Sequence, residues 1–326
     1  MIQPVIAIHG GAGAMSRAAM SPEKEQEYLS ALESILTAGQ AVLARGGSAL
    51  DAVTEAVRLL EDCPLFNAGH GAVFTSAATH ELDAAIMDGA TLRSGAIANV
   101  NCVRNPVFAA RKVMESSKHV FFVGEGAEAF ARDAGLEIVD PSYFSTEARR
   151  EQLLRVQRET PEAAVLDHDG QAMVARGQPA PADPLDADKK FGTVGAVAVD
   201  AQGNLAAATS TGGITNKQVG RVGDAPLIGA GTYASNQTCA VSTTGTGEMF
   251  IRMVAAYDVA AQMEYCGASL ETAANRVVME KLPTIGGKGG LVAVDAQGNV
   301  ALPFNTEGMY RGYARVGEKP VTAIYR

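Results

Sequence analysis

The sequence predicts an α+β chain whose antiparallel sheets are covered by helices. Three observations carry this. Strand-prone and helix-prone segments come in clusters, not in the strict strand–helix alternation of a doubly wound parallel sheet. The octapeptide Val197-Ala198-Val199-Asp200-Ala201-Gln202-Gly203-Asn204 recurs verbatim at Val292–Asn299, and each copy reads as a strand, a tight turn and a returning strand. Between and before these hairpins lie stretches whose apolar residues recur at helical spacing.

Taken in order, Val5–Ile8 is a short β-prone run ending in the glycine-rich turn His9-Gly10-Gly11-Ala12-Gly13. Ser21-Pro22 opens a helix, the serine as N-cap and the proline at the first helical position. Leu29, Leu32, Leu36 and Leu43 share one face of it, and Gly46-Gly47 stops it. Ser48 caps the next helix with Asp51 at N3, a capping-box variant. Leu50, Val53, Val57 and Leu60 form its apolar stripe, and Pro64 ends it. Pro106–Glu115 and Glu125–Ala134 read as helices. Leu82–Met87, Ala96–Val100 and Val120–Val123 read as strands. From about Glu159 to Lys190 the texture becomes rich in proline, alanine and aspartate with no period, as in a mobile surface linker. The β-prone run Phe191–Asp200 follows. Its hairpin returns at Leu205–Thr209, and the second hairpin returns at Val300–Phe304. Helices are expected at Glu248–Tyr265 and, after the N-cap Ser269, at Leu270–Leu282.

Composition narrows the function. The chain has 326 residues, a net charge of −9 and no basic run, so it lacks the counterion-displacing stripe of a nucleic-acid binder. No apolar run is long enough to span a bilayer, and the N-terminus lacks a basic, then apolar, leader. Four scattered cysteines without a CxxC pair read as reduced thiols of a cytoplasmic protein. Five histidines without close spacing make zinc improbable. The glycines after the first strand do not form G-x-G-x-x-G. Gly286-Gly287-Lys288-Gly289-Gly290 lacks the Ser/Thr and the following helix of a phosphate-binding loop, and reads as a turn before a strand. No G-x-S-x-G elbow occurs.

The second half is dense in threonine and glycine: Thr209-Ser210-Thr211-Gly212-Gly213, Gly220-Arg221-Val222-Gly223-Asp224 and Ser242-Thr243-Thr244-Gly245-Thr246-Gly247-Glu248. Each alone is explained by strand ends, caps or a surface ion pair. Together with Gly192-Thr193 they form a constellation. A threonine hydroxyl is a weak nucleophile without a neighbouring base. A cut before Thr193 would make its own α-amine that base. The loose linker followed by Gly192, whose missing Cβ tolerates a strained backbone, suits such a cut.

These motifs resemble the plant-type asparaginases, or isoaspartyl peptidases, of the N-terminal nucleophile hydrolases. The resemblance runs from Val5–Gly13 through Asn67-Ala68-Gly69, Gly192–Val197 and Thr209–Gly213 to Pro303–Arg311. It implies a four-layer αββα sandwich and a precursor cut at Gly192/Thr193 into an α subunit 1–192 and a β subunit 193–326, with two processed copies pairing as (αβ)2. It implies Thr193 as nucleophile, Thr211 beside it, and Thr244 and Gly245 as oxyanion hole. Arg221 would take the substrate α-carboxylate, Asp224 the α-ammonium, and Gly247 would offer a carbonyl nearby. Leu60, Glu61, Cys63, Phe66, Ala68 and His70 match the backbone ligands of a sodium loop, with Asn67 near the nucleophile. The reaction implied is hydrolysis of β-aspartyl peptides and of the asparagine side-chain amide through a β-aspartyl ester, with no redox or organic cofactor. Glycosylasparaginases and threonine aspartases are the competing relatives, but they place Asp, not Gly192, before the nucleophile. An uncleaved acidic amino-acid binding protein using Arg221 and Asp224 is the non-enzymatic alternative.

Overall fold

The computed structural model describes residues 2–15, 20–159 and 192–326. The linker segment 160–191 lies outside the described residues. The strands are β1 (Val5–Gly13), β2 (Leu82–Asp88), β3 (Ser94–Val100), β4 (Phe121–Val123), β5 (Val194–Val199), β6 (Leu205–Thr211), β7 (Thr232–Ala234), β8 (Cys239–Gly245), β9 (Gly289–Asp295), β10 (Val300–Ala301), β11 (Gly308–Arg315) and β12 (Val321–Tyr325). The helices are α1 (Pro22–Ala44), α2 (Ala49–Asp62), α3 (Pro106–Ser116), α4 (Gly124–Asp133), α5 (Glu147–Glu159), α6 (Gly247–Met253), α7 (Ala255–Cys266) and α8 (Leu270–Asn275).

Two sheets form, one in the order β12-β11-β1-β5-β6-β2-β3-β4 and one in the order β10-β9-β8-β7. All pairings are antiparallel except β3–β4, where α3 provides the crossover that a parallel neighbour needs. Both repeated octapeptides make hairpins, β5–β6 and β9–β10. In each, the aspartate carboxylate accepts from the N–H groups two and four residues on, which closes the turn: Asp200 in one, Asp295 in the other.

Period-two alternation sorts the side chains into three apolar cores. Ile6, Ile8, Val194, Ala196, Ala206 and Ala208 face α1, α2 and α3. Val5, Ala7, Val197, Val199 and Ala207 face Ala240, Val292 and Val294 of the other sheet. Cys239, Val241, Leu291 and Ala293 pack under α7 and α8. The N-caps hold: Ser21 Oγ accepts from Lys24 N and Ser48 Oγ from Asp51 N.

Several elements differ from expectation, each for a local reason. The glycine motif after Ile8 is not a turn: β1 runs on to Gly13, absorbing the glycines in a bulge between His9 and Ala12, with Gly11 at φ +111°. The helix expected over Glu248–Tyr265 is two, because Val254 adopts a left-handed conformation at φ +49° and separates α6 from α7. The helix after Ser269 widens into a π turn over Arg276–Lys281 and tightens into a 3-10 turn at Leu282–Ile285, where Pro283 bars an α turn. The strand after Asn299 covers only Val300–Ala301. Glu159 closes helix α5 instead of opening the linker. All four cysteines are free thiols. Among the described residues no helix is long and apolar enough to cross a membrane.

Candidate active site

The same alternation that builds the core between the sheets builds the site. Toward one end of that layer the inward positions change from apolar to hydroxyl-bearing or imidazole: His9 on β1, Thr209 and Thr211 on β6, Ser242 and Thr244 on β8, and Thr193 just ahead of β5. β5 lies between β1 and β6, so Val194 pairs with Ser210 and Gly195 with His9. Thr193 is thereby delivered to the centre of the larger sheet.

Thr193 Oγ1 donates to Thr211 Oγ1 at 3.3 Å, and the Thr211 oxygen also accepts from Gly213 N at 2.9 Å. Gly192, Thr193, Thr211, Gly213, Ile214, Arg221, Gly223, Asp224 and Gly245 line one small cavity. Gly192 is buried against Asn67, and a Cβ on it would overlap the Asn67 side chain. Asn67 Nδ2 donates to Gly213 O at 2.7 Å and its Oδ1 accepts from Val73 N at 2.8 Å. Asn67 therefore ties its loop to the Thr211–Gly213 strand end and walls the residue preceding Thr193.

Arg221 and Asp224 sit together at the other side of the cavity. Asp224 is buried, and its Oδ2 accepts from Thr243 Oγ1 at 2.6 Å. Burial pushes its carboxyl up to about 6, with the Thr243 hydroxyl and the Arg221 charge pulling it back. The guanidinium is held by Glu248, Nε to Oε1 at 2.9 Å and Nη2 to Oε2 at 3.0 Å. Residue spacing alone did not reveal that partner. Gly247 starts α6 so close to the pair that a Cβ would stand 2.9 Å from Asp224 Oδ1 and 3.0 Å from Arg221 Nη2. Thr244 is fully buried and its Oγ1 has no hydrogen-bond partner among the described residues. Gly245 follows at φ +150°. An unspent buried donor costs free energy unless something else uses it.

Among the described residues no group of three or more His, Cys, Asp or Glu side chains could hold a metal. Carbonyl oxygens are another matter in the loop after α2. Gly69 (φ +53°) and Gly71 (φ +110°) are turned so that a Cβ on Gly69 would overlap Glu61 O, and one on Gly71 would stand 2.7 Å from Pro64 O and 2.9 Å from Phe66 O. Leu60 O, Glu61 O and Cys63 O each accept one backbone N–H, leaving a lone pair apiece. The Glu61 carboxylate is engaged elsewhere, Oε1 accepting from Val107 N, and His70 Nδ1 bonds Tyr143 O. Both glycines pack against carbonyl oxygens, the donor type that a hard cation takes.

Two features escaped sequence reasoning. One is a buried chain of hydroxyls running from His9 through Ser242 and Thr209 to Thr232. The other is Lys217, fully buried, whose Nζ donates to Glu81 O at 2.8 Å while the Glu81 carboxylate accepts from Gly220 N at 3.0 Å. This props the loop that carries Arg221. No spacing rule marks such long-range pairs.

Known proteins resemble this chain along nearly its whole length. The family model described as Asparaginase matches residues 2–324. The isoaspartyl peptidase of Escherichia coli (strain K12) is 62% identical over the whole of this chain and 97% of its own length. That of Salmonella typhimurium is 62% identical over the full length of both. The isoaspartyl peptidase/L-asparaginase of Bos taurus is 39% identical, with 97% of this chain and 95% of its own length covered. With its threonine pair, its Arg–Asp pair and a match along nearly its whole length, the chain belongs to the asparaginase family.

Proposed function

We propose that this chain is an isoaspartyl peptidase and L-asparaginase that matures by cutting itself between Gly192 and Thr193. The observation that carries the reading is the cavity in which Thr193 Oγ1, 3.3 Å from Thr211 Oγ1, faces the Arg221–Asp224 pair. In maturation, Thr193 Oγ attacks the Gly192 carbonyl carbon. The C–N bond breaks, giving an ester and a free α-amine, and water then releases the Gly192 carboxylate. In turnover that amine takes the proton from Thr193 Oγ as it attacks the β-carbonyl of the substrate. Thr244 Oγ1 and Gly245 N–H meet the developing oxyanion, a use that accounts for the orphaned hydroxyl. The leaving amine departs with a proton from the α-ammonium, and water hydrolyses the β-aspartyl ester. Arg221 offers planar donors to the substrate α-carboxylate, and Asp224 pairs with its α-ammonium, aided by the Gly247 carbonyl.

The three cores in sequence support an αββα layering for the α subunit 1–192 and β subunit 193–326 together. The carbonyl oxygens packed against Gly69 and Gly71 in the 60–71 loop support a bound sodium ion that would stiffen the Asn67 wall without entering the chemistry. Two such processed copies would pair as (αβ)2, read in solution as twice the mass of one chain. Replacing sodium by tetramethylammonium at constant ionic strength lowers the melting temperature if the ion is there.

The deciding experiment is intact mass with N-terminal sequencing after incubation of the purified chain. The expected result is two pieces, the smaller beginning Thr193-Val194-Gly195. A chain that stays whole, or is cut elsewhere, overturns the mechanism.

A further inference from the structure

The glycine motif His9-Gly10-Gly11 has no part in the chemistry above, yet its histidine is fully buried and doubly bonded. His9 Nδ1 lies 3.0 Å from Thr193 O, and Nε2 lies 2.8 Å from Ser242 Oγ. A carbonyl oxygen can only accept, so Nδ1 carries the proton and Nε2 must accept. Ser242 therefore gives its proton to His9. Its oxygen, 2.7 Å from Thr209 Oγ1, receives the Thr209 proton, and Thr209 in turn accepts from Thr232 Oγ1 at 2.6 Å. One carbonyl thus sets the direction of the first two hydrogen bonds and favours the same direction in the next two, where Gly231 O at 3.3 Å also offers Thr209 an acceptor and Ala225 O at 3.1 Å offers Thr232 one. Such a chain is mutually polarising. Burial holds His9 neutral, its imidazole lowered to about 3, so no charge disturbs this order at working pH. Gly195 packs tightly against both partners: a Cβ on it would overlap Ser242 Oγ and reach within 2.6 Å of His9 Nε2.

We infer that His9 is a positioning residue: its Nδ1–H pins the Thr193–Val194 peptide plane, and so aims the Thr193 hydroxyl and amine in both self-cleavage and turnover. The need is greatest after the cut. Before it, the Gly192–Thr193 peptide restrains Thr193 from the N-terminal side. Afterwards the backbone of Thr193 is tethered only toward Val194. With the peptide plane fixed, the remaining freedom is rotation about Cα–C and χ1, and the Oγ1 contact with Thr211 restricts these. Misplacement of a reacting atom by about 1 Å costs on the order of 100-fold in rate. The inference rests on Thr193 being the nucleophile.

The test uses the full chain and follows two steps, the half-time of precursor cleavage and the kcat and KM of a β-aspartyl dipeptide on matured enzyme. His9→Phe keeps the ring volume and removes both nitrogens. It is expected to lower kcat about 100-fold with KM unchanged, and to slow cleavage in parallel. The separating pair is His9→Asn and His9→Gln. The asparagine amide reaches the place of Nδ1 and restores a donor to Thr193 O, whereas the glutamine amide reaches the place of Nε2 and does not. Recovery of kcat in His9→Asn but not in His9→Gln supports the role. Equal activity of the two, or no loss in His9→Phe, overturns it. Should His9→Phe fail to fold, Ser242→Ala takes its place. Removing the donor to Nε2 lowers kcat about tenfold, and an unchanged kcat overturns the relay. Thr193→Ala separates the two readings. An uncut, inactive Thr193→Ala beside an unimpaired His9→Phe sinks this inference alone, and an active Thr193→Ala sinks the nucleophile with it.

Discussion

Arg221 and Glu248 face each other edge to edge, two parallel N–H···O bonds at 2.9 and 3.0 Å joining the loop before β7 to the first turn of α6. Glu248 is half exposed, so the pair itself is worth about 1 kcal/mol or less. Its value lies in orientation, since a guanidinium fixed on one edge presents the other. Glu248→Ala is expected to raise KM for β-aspartyl dipeptides by up to about fivefold, the affinity equivalent of that energy, and to leave kcat nearly unchanged. Steady-state kinetics decide it. A fall in kcat with steady KM would place Glu248 in the chemistry instead.

Thr244→Val makes an unusual pair of expectations. The hydroxyl is buried and unpartnered, so replacing it by a methyl of the same shape removes a desolvation cost. The melting temperature should hold or rise. On the proposed mechanism the same change removes an oxyanion donor, and kcat should fall roughly 100- to 1000-fold. Calorimetry and kinetics on one sample read both.

Asp224 sets a pH dependence. Its carboxyl titrates at about 6 in the folded chain, above the ordinary carboxylate range, because burial disfavours its charge. Below that pH it is protonated and attracts an ammonium poorly, so KM climbs as pH falls through about 6 while kcat changes less. The sign for stability is opposite. The folded state holds this proton more firmly than the unfolded chain does, so Asp224 contributes stability that grows on acidification between 6 and the ordinary value and is lost as pH rises. Asp224→Asn should abolish the KM inflection and most of the activity.

Gly192→Ala tests the wall before the proposed scissile bond. Its Cβ would overlap Asn67, so the residue must shift and cleavage should slow severely. Adding Asn67→Gly opens the space, and partial recovery of the cleavage rate in the double variant is the expected coupling. A gel time course suffices. Independent effects would show that the clash is not the cause.

The sequence disclosed what is local or periodic. Ser21 and Ser48 announce their helices through side chains that cap within three residues, and the two Asp-x-x-Gly-Asn turns carry their own hydrogen bonds. The threonine and arginine motifs were legible because each is a contiguous string. What stayed hidden depends on distance. Helix α5 is mostly charged, and among its described side chains only Leu153, Val156 and Gln152 are buried, too few for a helical stripe to stand out. Strand β11 pairs with β1, whose bulge at the glycine motif shifts its register against it, and β12 pairs in turn with β11. Glu248 next to Arg221, and His9 beneath Thr193, are neighbours across 27 and 184 residues, and only the folded sheet brings them together.

The strand order carries a further consequence. Reading across the larger sheet, β12 and β11 come from after Thr193, β1 from before it, β5 and β6 from after it, and β2, β3 and β4 from before it. The two pieces of a cut chain would therefore be interleaved like fingers of two hands, with β1 of one gripped on both edges by the other. They could not part without unravelling the sheet, and once unravelled they would have to find each other as separate molecules. Hydrolysis of a single peptide bond would convert a self-contained folding problem into a two-body one. The enzyme would gain its nucleophile and lose its way back from denaturation in the same event.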